Sequence, residues 1–357
     1  MILNGQRPLI RACLRGAFFF AAHMITWSVL AEPGTIAAAR AAGSATEPEP
    51  VQARVDRFVV NTGHARDLNV PFYVRRPARF KPGQDGGRVY RLLFICPVMN
   101  RDGLAVVTGD GYLLKLADER DWFVLAPSFD QSGASSRDRA RSYYYPETYS
   151  GRAVVVALDK VAERYPVDPH RILLHGLSGG AQFVHRLALW VPERVTAVAV
   201  NSSSWFDTPP AAPGSGVEAV AWLLTVGDAD PASLKTWEFA DRLREAGALP
   251  VLRSYLGMVH EGGGEKVDRL VRAFLTEYDE RTRAEVGKPP AGGRPARPDP
   301  AAFPCLGDAA DWTWRPNSAE AARAIPEANR VYLPSPAVAQ AWGIPAEKPA
   351  AAGGKSP

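Results

Sequence analysis

A serine stands among glycines near the middle of the chain, in the segment Gly176-Leu177-Ser178-Gly179-Gly180. The residues before it, RILLH, are typical of a buried strand, and those after it, AQFVHRLALW, have helical periodicity. A sharp turn between a strand and a helix exposes a serine hydroxyl to a base. The pattern predicts that Ser178 is a nucleophile. It also predicts that the Gly179 N–H, at the positive end of the helix, binds the developing oxyanion.

Two later segments carry residues that can activate such a serine. His260 lies in YLGMVHEGG, a glycine-rich loop between a strand pattern and a helical pattern. Asp228 and Asp230 both follow the strand pattern AVAWLLTVG. Asp228 comes directly after a glycine and is typical of a turn residue. Asp230 precedes Pro231 and can cap the next helix while its second oxygen accepts a hydrogen bond from a histidine.

The elements that must position these residues alternate along the chain. Short apolar runs typical of strands buried on both faces are separated by helical patterns, which indicates a mostly parallel sheet with helices on both faces. The strand patterns are RFVV, VPFYVRR, VYRLLFIC, WFVLAP, RILLHG, VTAVAVN, AVAWLLTVG and PVLRSYLG. The four other histidines after residue 31 lie in less suitable places: His64, His170, His175 and His185.

The chain resembles the α/β-hydrolases, and within them the secreted esterases of the polyhydroxyalkanoate-depolymerase, feruloyl-esterase and dienelactone-hydrolase-like groups. The resemblance covers about 230 residues, from Arg57 to Tyr278, and the segments that carry it are VPFYVRRPARF, LADERDWFVLAPSF, YPVDPHRILLHGLSGGAQF, VGDADP and GMVHEGG. The resemblance implies an α/β-hydrolase fold and a triad in the order Ser178, Asp230, His260. Asp228 remains the alternative acid.

The resemblance also implies a second oxyanion donor in the loop after LLFIC. The family often has His-Gly there, whereas this chain has Cys96 and Pro97. Proline has no N–H to donate. The backbone N–H of Val98 is therefore the predicted donor, with that of Met99 as the alternative.

The substrate site is expected to be open. Lipases of this fold often carry a lid between the strands VTAVAVN and AVAWLLTVG, but here that segment is short and proline-rich. No large lid is predicted, which suits small-molecule or polymer-linked esters. Trp205 and Tyr145 follow strands at the carboxyl edge of the sheet and are candidate wall residues, with ordinary loop packing as the alternative.

Composition excludes several functions. Apolar residues make up 46% and charged residues 22%, which predicts a folded core. The net charge of +4 comes largely from three arginines among the first 31 residues, and no basic stripe with aromatics predicts nucleic-acid binding. No group of His, Cys and Asp has metal-ligand spacing, so neither a metal nor a cofactor is expected.

Residues 1–31 are predicted to be a secretory signal, because a basic start precedes an apolar run and a small-residue cleavage site. Export to a bacterial periplasm or beyond is expected, without a membrane span after cleavage; an uncleaved anchor is the alternative. The other predicted limits are a linker (32–50), the hydrolase domain (51–282), a Pro/Gly-rich linker (283–304), a C-terminal strap with a short helix (305–345) and a disordered tail (346–357).

Three functions are consistent with this pattern. An exported serine esterase that works through an acyl-enzyme is the first. A prolyl-oligopeptidase-like peptidase is the second, although its nucleophile turn usually has aromatic neighbours and Leu177 and Gly179 are not aromatic. A catalytically silent binding protein that uses Trp312, Trp314 and the strap as a contact surface is the third.

Overall fold

The computed structural model of the chain describes residues 49–63, 69–84, 86–131, 139–209, 214–260, 263–288 and 298–346. The predicted signal peptide and all but the first residue of the predicted tail lie outside these ranges, as do most of the predicted linker 32–50 and residues 289–297 of the second linker. Among the described residues, no helix is both long enough and apolar enough to cross a bilayer.

An eight-stranded sheet forms the centre of the protein. Its strands are β1 (Val55–Asn61), β2 (Asn69–Arg75), β3 (Leu92–Cys96), β4 (Phe123–Pro127), β5 (Ile172–Leu177), β6 (Val195–Asn201), β7 (Ala221–Gly227) and β8 (Val251–Tyr255). Their order across the sheet is β1-β2-β4-β3-β5-β6-β7-β8. β2 is antiparallel to both of its neighbours, and all other pairs are parallel. Each predicted strand is present, and the predicted mostly parallel sheet is confirmed.

Helices cover both faces of this sheet, as predicted. They are α1 (Gly103–Thr108), α2 (Tyr112–Arg120), α3 (Gly151–Arg164), α4 (Gly179–Trp190), α5 (Ser233–Glu245) and α6 (Gly264–Thr282). Successive strand residues point to opposite faces. On β5, Leu174 therefore packs into the core beneath α3, α4 and α5, whereas Leu173 packs into the core beneath α1, α2 and α6.

The C-terminal segment forms a second, smaller sheet, which the sequence did not predict. Its strands are β9 (Cys305–Asp308), β10 (Thr313–Pro316), β11 (Arg330–Leu333) and β12 (Ile344–Pro345), in the order β11-β9-β10-β12, and two helices accompany them, α7 (Ala319–Ala324) and α8 (Pro336–Trp342). These strands have two to four residues, so they carry too little alternation to be recognised. The segment expected to be a strap with a short helix therefore contains a small sheet and a second helix besides the expected one.

The predicted helix α8 is present and attaches the small sheet to the main one. Ser335 caps it by accepting a hydrogen bond from the Val338 N–H. Gly343 ends it, but in extended backbone instead of the left-handed conformation expected of a glycine cap. A Cβ on Gly343 would overlap the Trp312 carbonyl, so close approach explains this glycine. The buried Trp342 donates its indole N–H to the carbonyl of Leu252 on β8 at 2.7 Å.

Cys96 and Cys305 are both buried free thiols. Cys96 is the last residue of β3, and burial raises its thiol pKa well above the ordinary value. Both cysteines therefore act as small buried apolar side chains.

Candidate active site

Ser178 occupies the turn between β5 and α4. Its backbone has φ 53° and ψ −114°, a region that costs a non-glycine residue about 1–3 kcal/mol. Two hydrogen bonds hold it there: the Ser178 N–H donates to the Asn201 carbonyl at 3.0 Å, and its own carbonyl accepts from Gln182 at 3.0 Å. The turn therefore presents the Ser178 hydroxyl at the carboxyl edge of the sheet.

The glycines of this turn allow three elements to approach closely. A Cβ on Gly176 would overlap the Gly180 carbonyl, and a Cβ on Gly180 would overlap the carbonyl of Cys96 on β3. Larger residues at either position would push α4 away from the sheet. The G-x-S-x-G spacing thus follows from packing around the serine.

A histidine and an aspartate lie in series with Ser178. The Ser178 Oγ is 2.9 Å from His260 Nε2, and His260 Nδ1 is 2.8 Å from Asp230 Oδ2. An ionised carboxylate only accepts hydrogen bonds, so Nδ1 carries the hydrogen and Nε2 is free to accept one from the serine. The Asp230 side chain is 1% exposed and that of His260 is 38% exposed, so the carboxylate is shielded from solvent while the imidazole reaches it.

The two neighbouring aspartates have different surroundings. Asp230 uses its other oxygen, Oδ1, to accept the Ala232 N–H at 2.8 Å in the turn before α5. Asp228 is exposed, and its Oδ1 accepts the Gly257 N–H at 2.7 Å, which ties the loop after β7 to the loop after β8. Asp230 therefore faces the histidine, and Asp228 stabilises a turn. α5 begins at Ser233, so Asp230 caps the preceding turn and not the helix itself.

The positions of these three residues in the sheet decide the fold. Ser178 follows the central strand β5 and opens a helix, Asp230 follows β7, and His260 follows β8, all at the carboxyl ends of parallel strands. A serine in a turn between strand and helix, followed by an aspartate and a histidine after later parallel strands, is the arrangement typical of the α/β-hydrolase fold. The chain has the α/β-hydrolase fold.

Solved structures with a similar backbone include several esterases. They include a ferulic acid esterase (17% identity, 58% of this chain and 91% of that chain, TM-score 0.46) and a poly(3-hydroxybutyrate) depolymerase from Bordetella parapertussis (17%, 63% and 90%, 0.47). A third is an S-formylglutathione hydrolase from Agrobacterium tumefaciens (16%, 64% and 95%, 0.47). No family model matches the chain, and no curated protein sequence matches it. At these identities the likeness concerns the fold alone.

Two backbone amides, those of Gly179 and Met99, lie at the turn that holds Ser178. Gly179 is the first residue of α4 and directly follows the serine. A Cβ on Gly179 would lie 3.2 Å from the Met99 amide nitrogen, so the loop after β3 reaches the nucleophile turn through Met99. Asn100, next to it, adopts a left-handed φ of 67° and donates its N–H to Gln131 Oε1, which holds the loop in place. Val98, the donor predicted first, lines a neighbouring cavity.

Two tyrosines that the sequence did not single out also reach this turn. The hydroxyls of Tyr143 and Tyr144 lie 3.0 and 3.1 Å from the position of a Gly179 Cβ. Burial raises the pKa of both phenols, so they remain protonated donors. The sequence indicated the loop, SYYYPETY, but the loop has no periodicity that tells which of its consecutive tyrosines faces the serine.

The predicted wall residues make other contacts. The Tyr145 ring packs against the guanidinium groups of Arg139 and Arg186, whose central carbons lie 4.1 and 4.7 Å from the ring centre. Trp205 is 60% exposed, with Lys235 Nζ 3.3 Å from its ring centre. Their assignment to a substrate wall stays a prediction.

The other described histidines have structural surroundings. His185 is fully buried on α4, where its Nδ1 bonds the Ala181 carbonyl at 2.9 Å and its Nε2 accepts the Asp207 N–H at 3.2 Å. Burial lowers the pKa of His185 well below its usual value and that of His175, on β5, to about 4. His170 lies in the turn before β5, and His64 is outside the described residues.

Acidification is expected to destabilise the protein through the buried His175. Between its folded pKa of about 4 and the ordinary 6.5, the unfolded chain binds a proton that the folded chain does not. The stabilising contribution is complete above pH 6.5 and is lost as the pH falls towards 4. Going from pH 7 to 4.5, this residue should lower the free energy of unfolding by about 2–3 kcal/mol.

Urea unfolding of wild type and His175→Phe at both pH values measures this loss. His185 is common to both proteins, so the variant should lose less stability than the wild type. Equal losses in the two proteins would contradict the assignment of the effect to His175.

No group of three or more His, Cys, Asp or Glu that could hold a metal ion occurs in the part of the chain that the structure describes.

The segment between β6 and β7 is the place where a lid could lie. Its described residues contain a single short helical turn, Val217–Ala219, and its residues 210–213 lie outside the described ranges.

Proposed function

We propose that the chain is an exported serine hydrolase that cleaves carboxylic esters through a covalent acyl-enzyme. The observation that carries this proposal is the continuous hydrogen-bonded series from Ser178 Oγ through His260 to the buried Asp230 carboxylate. Export is proposed from the sequence of residues 1–31, which lie outside the described residues.

In the proposed reaction, Ser178 Oγ attacks the ester carbonyl while His260 Nε2 takes the hydroxyl proton. Asp230 keeps the Nδ1–H tautomer and stabilises the imidazolium ion. The C–O bond to the alcohol then breaks, and His260 returns the proton to the leaving alkoxide. A water molecule activated by His260 next attacks the acyl-serine, which releases the acid and restores the serine.

The negative charge of each tetrahedral intermediate needs donors that are already in place. The Gly179 N–H is well placed because it begins a helix of twelve residues and its dipole favours a negative charge. Proximity to Gly179 supports the Met99 N–H as the second donor, with Val98 as the alternative. The Tyr143 and Tyr144 hydroxyls lie beside the same turn, and that of Tyr144 donates to Met99 Sδ at 3.8 Å, which helps to hold the Met99 loop.

The exposure of His260 supports access from solvent without a large lid. Both a small ester and an ester linked to a polymer can reach an open site, and these are the substrates that we propose. The carboxylic ester is favoured over a peptide because the residues that flank the serine, Leu177 and Gly179, lack the aromatic character expected of the peptidase.

Labelling with a fluorophosphonate probe tests the proposal directly, because the probe reacts only with an activated serine. Wild type is expected to be labelled at Ser178, as identified by mass spectrometry of the modified peptide, and Ser178→Ala is expected to remain unlabelled. Assays of p-nitrophenyl esters beside dipeptidyl and prolyl amides then separate an esterase from a peptidase. Failure of the wild type to react would favour the silent binding protein instead.

A further inference from the structure

The carboxyl ends of three neighbouring strands meet next to Ser178. In the sheet, β6 lies between β5, which leads to the serine, and β7, which leads to Asp230. Asn201, the last residue of β6, is paired with Leu177 on β5 and with Thr225 on β7. A shift of Asn201 would therefore move the partners of both strands.

The backbone of Asn201 holds the serine turn. The Ser178 N–H donates to the Asn201 carbonyl at 3.0 Å, and the next residue, Ser202, donates its own N–H to the Thr225 carbonyl at 2.8 Å. The φ of 53° at Ser178 is sparsely populated and persists only where the surrounding structure fixes it. The position of the Asn201 carbonyl therefore helps to set the conformation of Ser178.

Ser202 is a second strained residue at the same place. It has a positive φ of 48° and is fully buried. Residues other than glycine seldom adopt such a φ, and when they do, they cluster at functional sites. The strained Ser202 directly follows Asn201 in the chain, and the strained Ser178 is hydrogen-bonded to it, so one asparagine connects both serines.

Side-chain hydrogen bonds fix this asparagine. Asn201 Oδ1 accepts from Thr225 Oγ1 at 3.0 Å and from Ser202 Oγ at 3.4 Å. None of the three residues is more than 2% exposed. A hydrogen bond shielded from water is electrostatically stronger than an exposed one. The Thr225 hydroxyl therefore ties the end of β6 to β7, in addition to the backbone bonds of the sheet.

We propose that Asn201 and Thr225 are positioning residues for the serine nucleophile. Their side-chain hydrogen bond fixes the Asn201 carbonyl, and this carbonyl holds the Ser178 backbone in the conformation that directs Oγ at His260. Displacement of a reacting group by about 1 Å can lower a rate by about 10²-fold, so a smaller displacement is enough for a measurable effect. The inference rests on the proposed function and assigns it two residues remote from the reacting atoms.

Two substitutions of Thr225 test the role of its hydroxyl. Thr225→Val keeps the size of the side chain and removes the hydroxyl, whereas Thr225→Ser keeps the hydroxyl and removes a methyl group. Thr225→Val should lower both kcat for p-nitrophenyl acetate and the rate of fluorophosphonate labelling by about tenfold. Thr225→Ser should keep both within about twofold of the wild type, although the small cavity lowers its free energy of unfolding. Unchanged rates in Thr225→Val, or an equal loss in both variants, would overturn the proposal.

Thr196→Val is the matched control on the same strand. Thr196 lies near the amino end of β6, at the opposite edge of the sheet from the serine, and its Oγ1 accepts a hydrogen bond from Arg91 Nη1 at 3.4 Å. The same substitution therefore removes a hydroxyl and a hydrogen bond without touching the Ser178 turn. Its kcat should stay within about twofold of the wild type. A loss as large as that of Thr225→Val would show a general weakening of β6 and contradict the proposed role.

Hydrogen exchange of the Ser178 N–H separates this inference from the proposed function, because it needs no activity. Its exchange rate, relative to that of the Val191 N–H at the far end of α4, should rise about tenfold in Thr225→Val and stay near the wild-type value in Thr225→Ser. If exchange responds in this way although the wild type cleaves no ester, the network holds the turn and the esterase proposal fails. If esters are cleaved but neither exchange nor kcat responds to Thr225→Val, the positioning role fails alone.

Discussion

Replacing Ser178 by alanine is expected to lower kcat for short p-nitrophenyl esters by about 10⁴-fold or more, because the acyl-enzyme cannot form without the hydroxyl. The residual rate should reflect only the oxyanion donors and substrate positioning. The change removes one oxygen from a partly exposed side chain, so the free energy of unfolding should not fall. The strain at φ 53° belongs to the backbone and remains in the alanine variant. Steady-state kinetics and urea unfolding measure both quantities.

Ser204→Ala is the matched control for this experiment. Ser204 is half-buried in the loop after β6, where its carbonyl lies 3.5 Å from Lys235 Nζ, a contact that alanine retains. Its turnover should remain within about twofold of the wild type. Retention of activity in Ser178→Ala would remove the basis of the proposed function.

The second large effect is expected at Asp230. Asp230→Asn keeps the size of the side chain and can keep the acceptor for Ala232, but it loses the charge that holds the His260 tautomer and stabilises the imidazolium ion. A comparable loss of charge in a serine-protease triad lowers kcat by about 10⁴-fold, and a decrease of the same order is expected here. Measurement of kcat at saturating p-nitrophenyl acetate gives the value directly.

Asp228→Asn provides the comparison two residues away. Asp228 is exposed, and its bond to the Gly257 N–H can be made equally by an asparagine oxygen. Turnover should therefore stay within about twofold of the wild type. A greater loss of turnover in Asp228→Asn than in Asp230→Asn would reverse the assignment of the triad acid.

Strands and helices of the main domain were predictable because their patterns are long and regular. Parallel strands such as β3 and β7 are covered on both faces and therefore contain continuous apolar runs. The nucleophile turn was predictable because three closely packed backbones require glycine at fixed positions around Ser178. The small C-terminal sheet was not predictable, since strands of two to four residues contain too few side chains to show a period.

The choice between neighbouring residues depended on the path of the loops. Sequence restricted the acid to Asp228 or Asp230, but only the fold shows which carboxylate is buried against His260 and which ties two loops together. Similarly, the sequence indicated a tyrosine-rich loop, whereas the structure brings the Tyr143 and Tyr144 hydroxyls to Gly179 and turns Tyr145 towards two arginines.

By itself, the sequence determined the order of the elements, the glycine-rich turn at Ser178 and the loops that hold Asp230 and His260. These features follow from local rules, since hydrophobic period, glycine at close approaches and capping residues act over a few positions. The tertiary structure decided which side chains meet at the carboxyl edge of the sheet. Those contacts join residues far apart in the chain, and local patterns do not encode their distances.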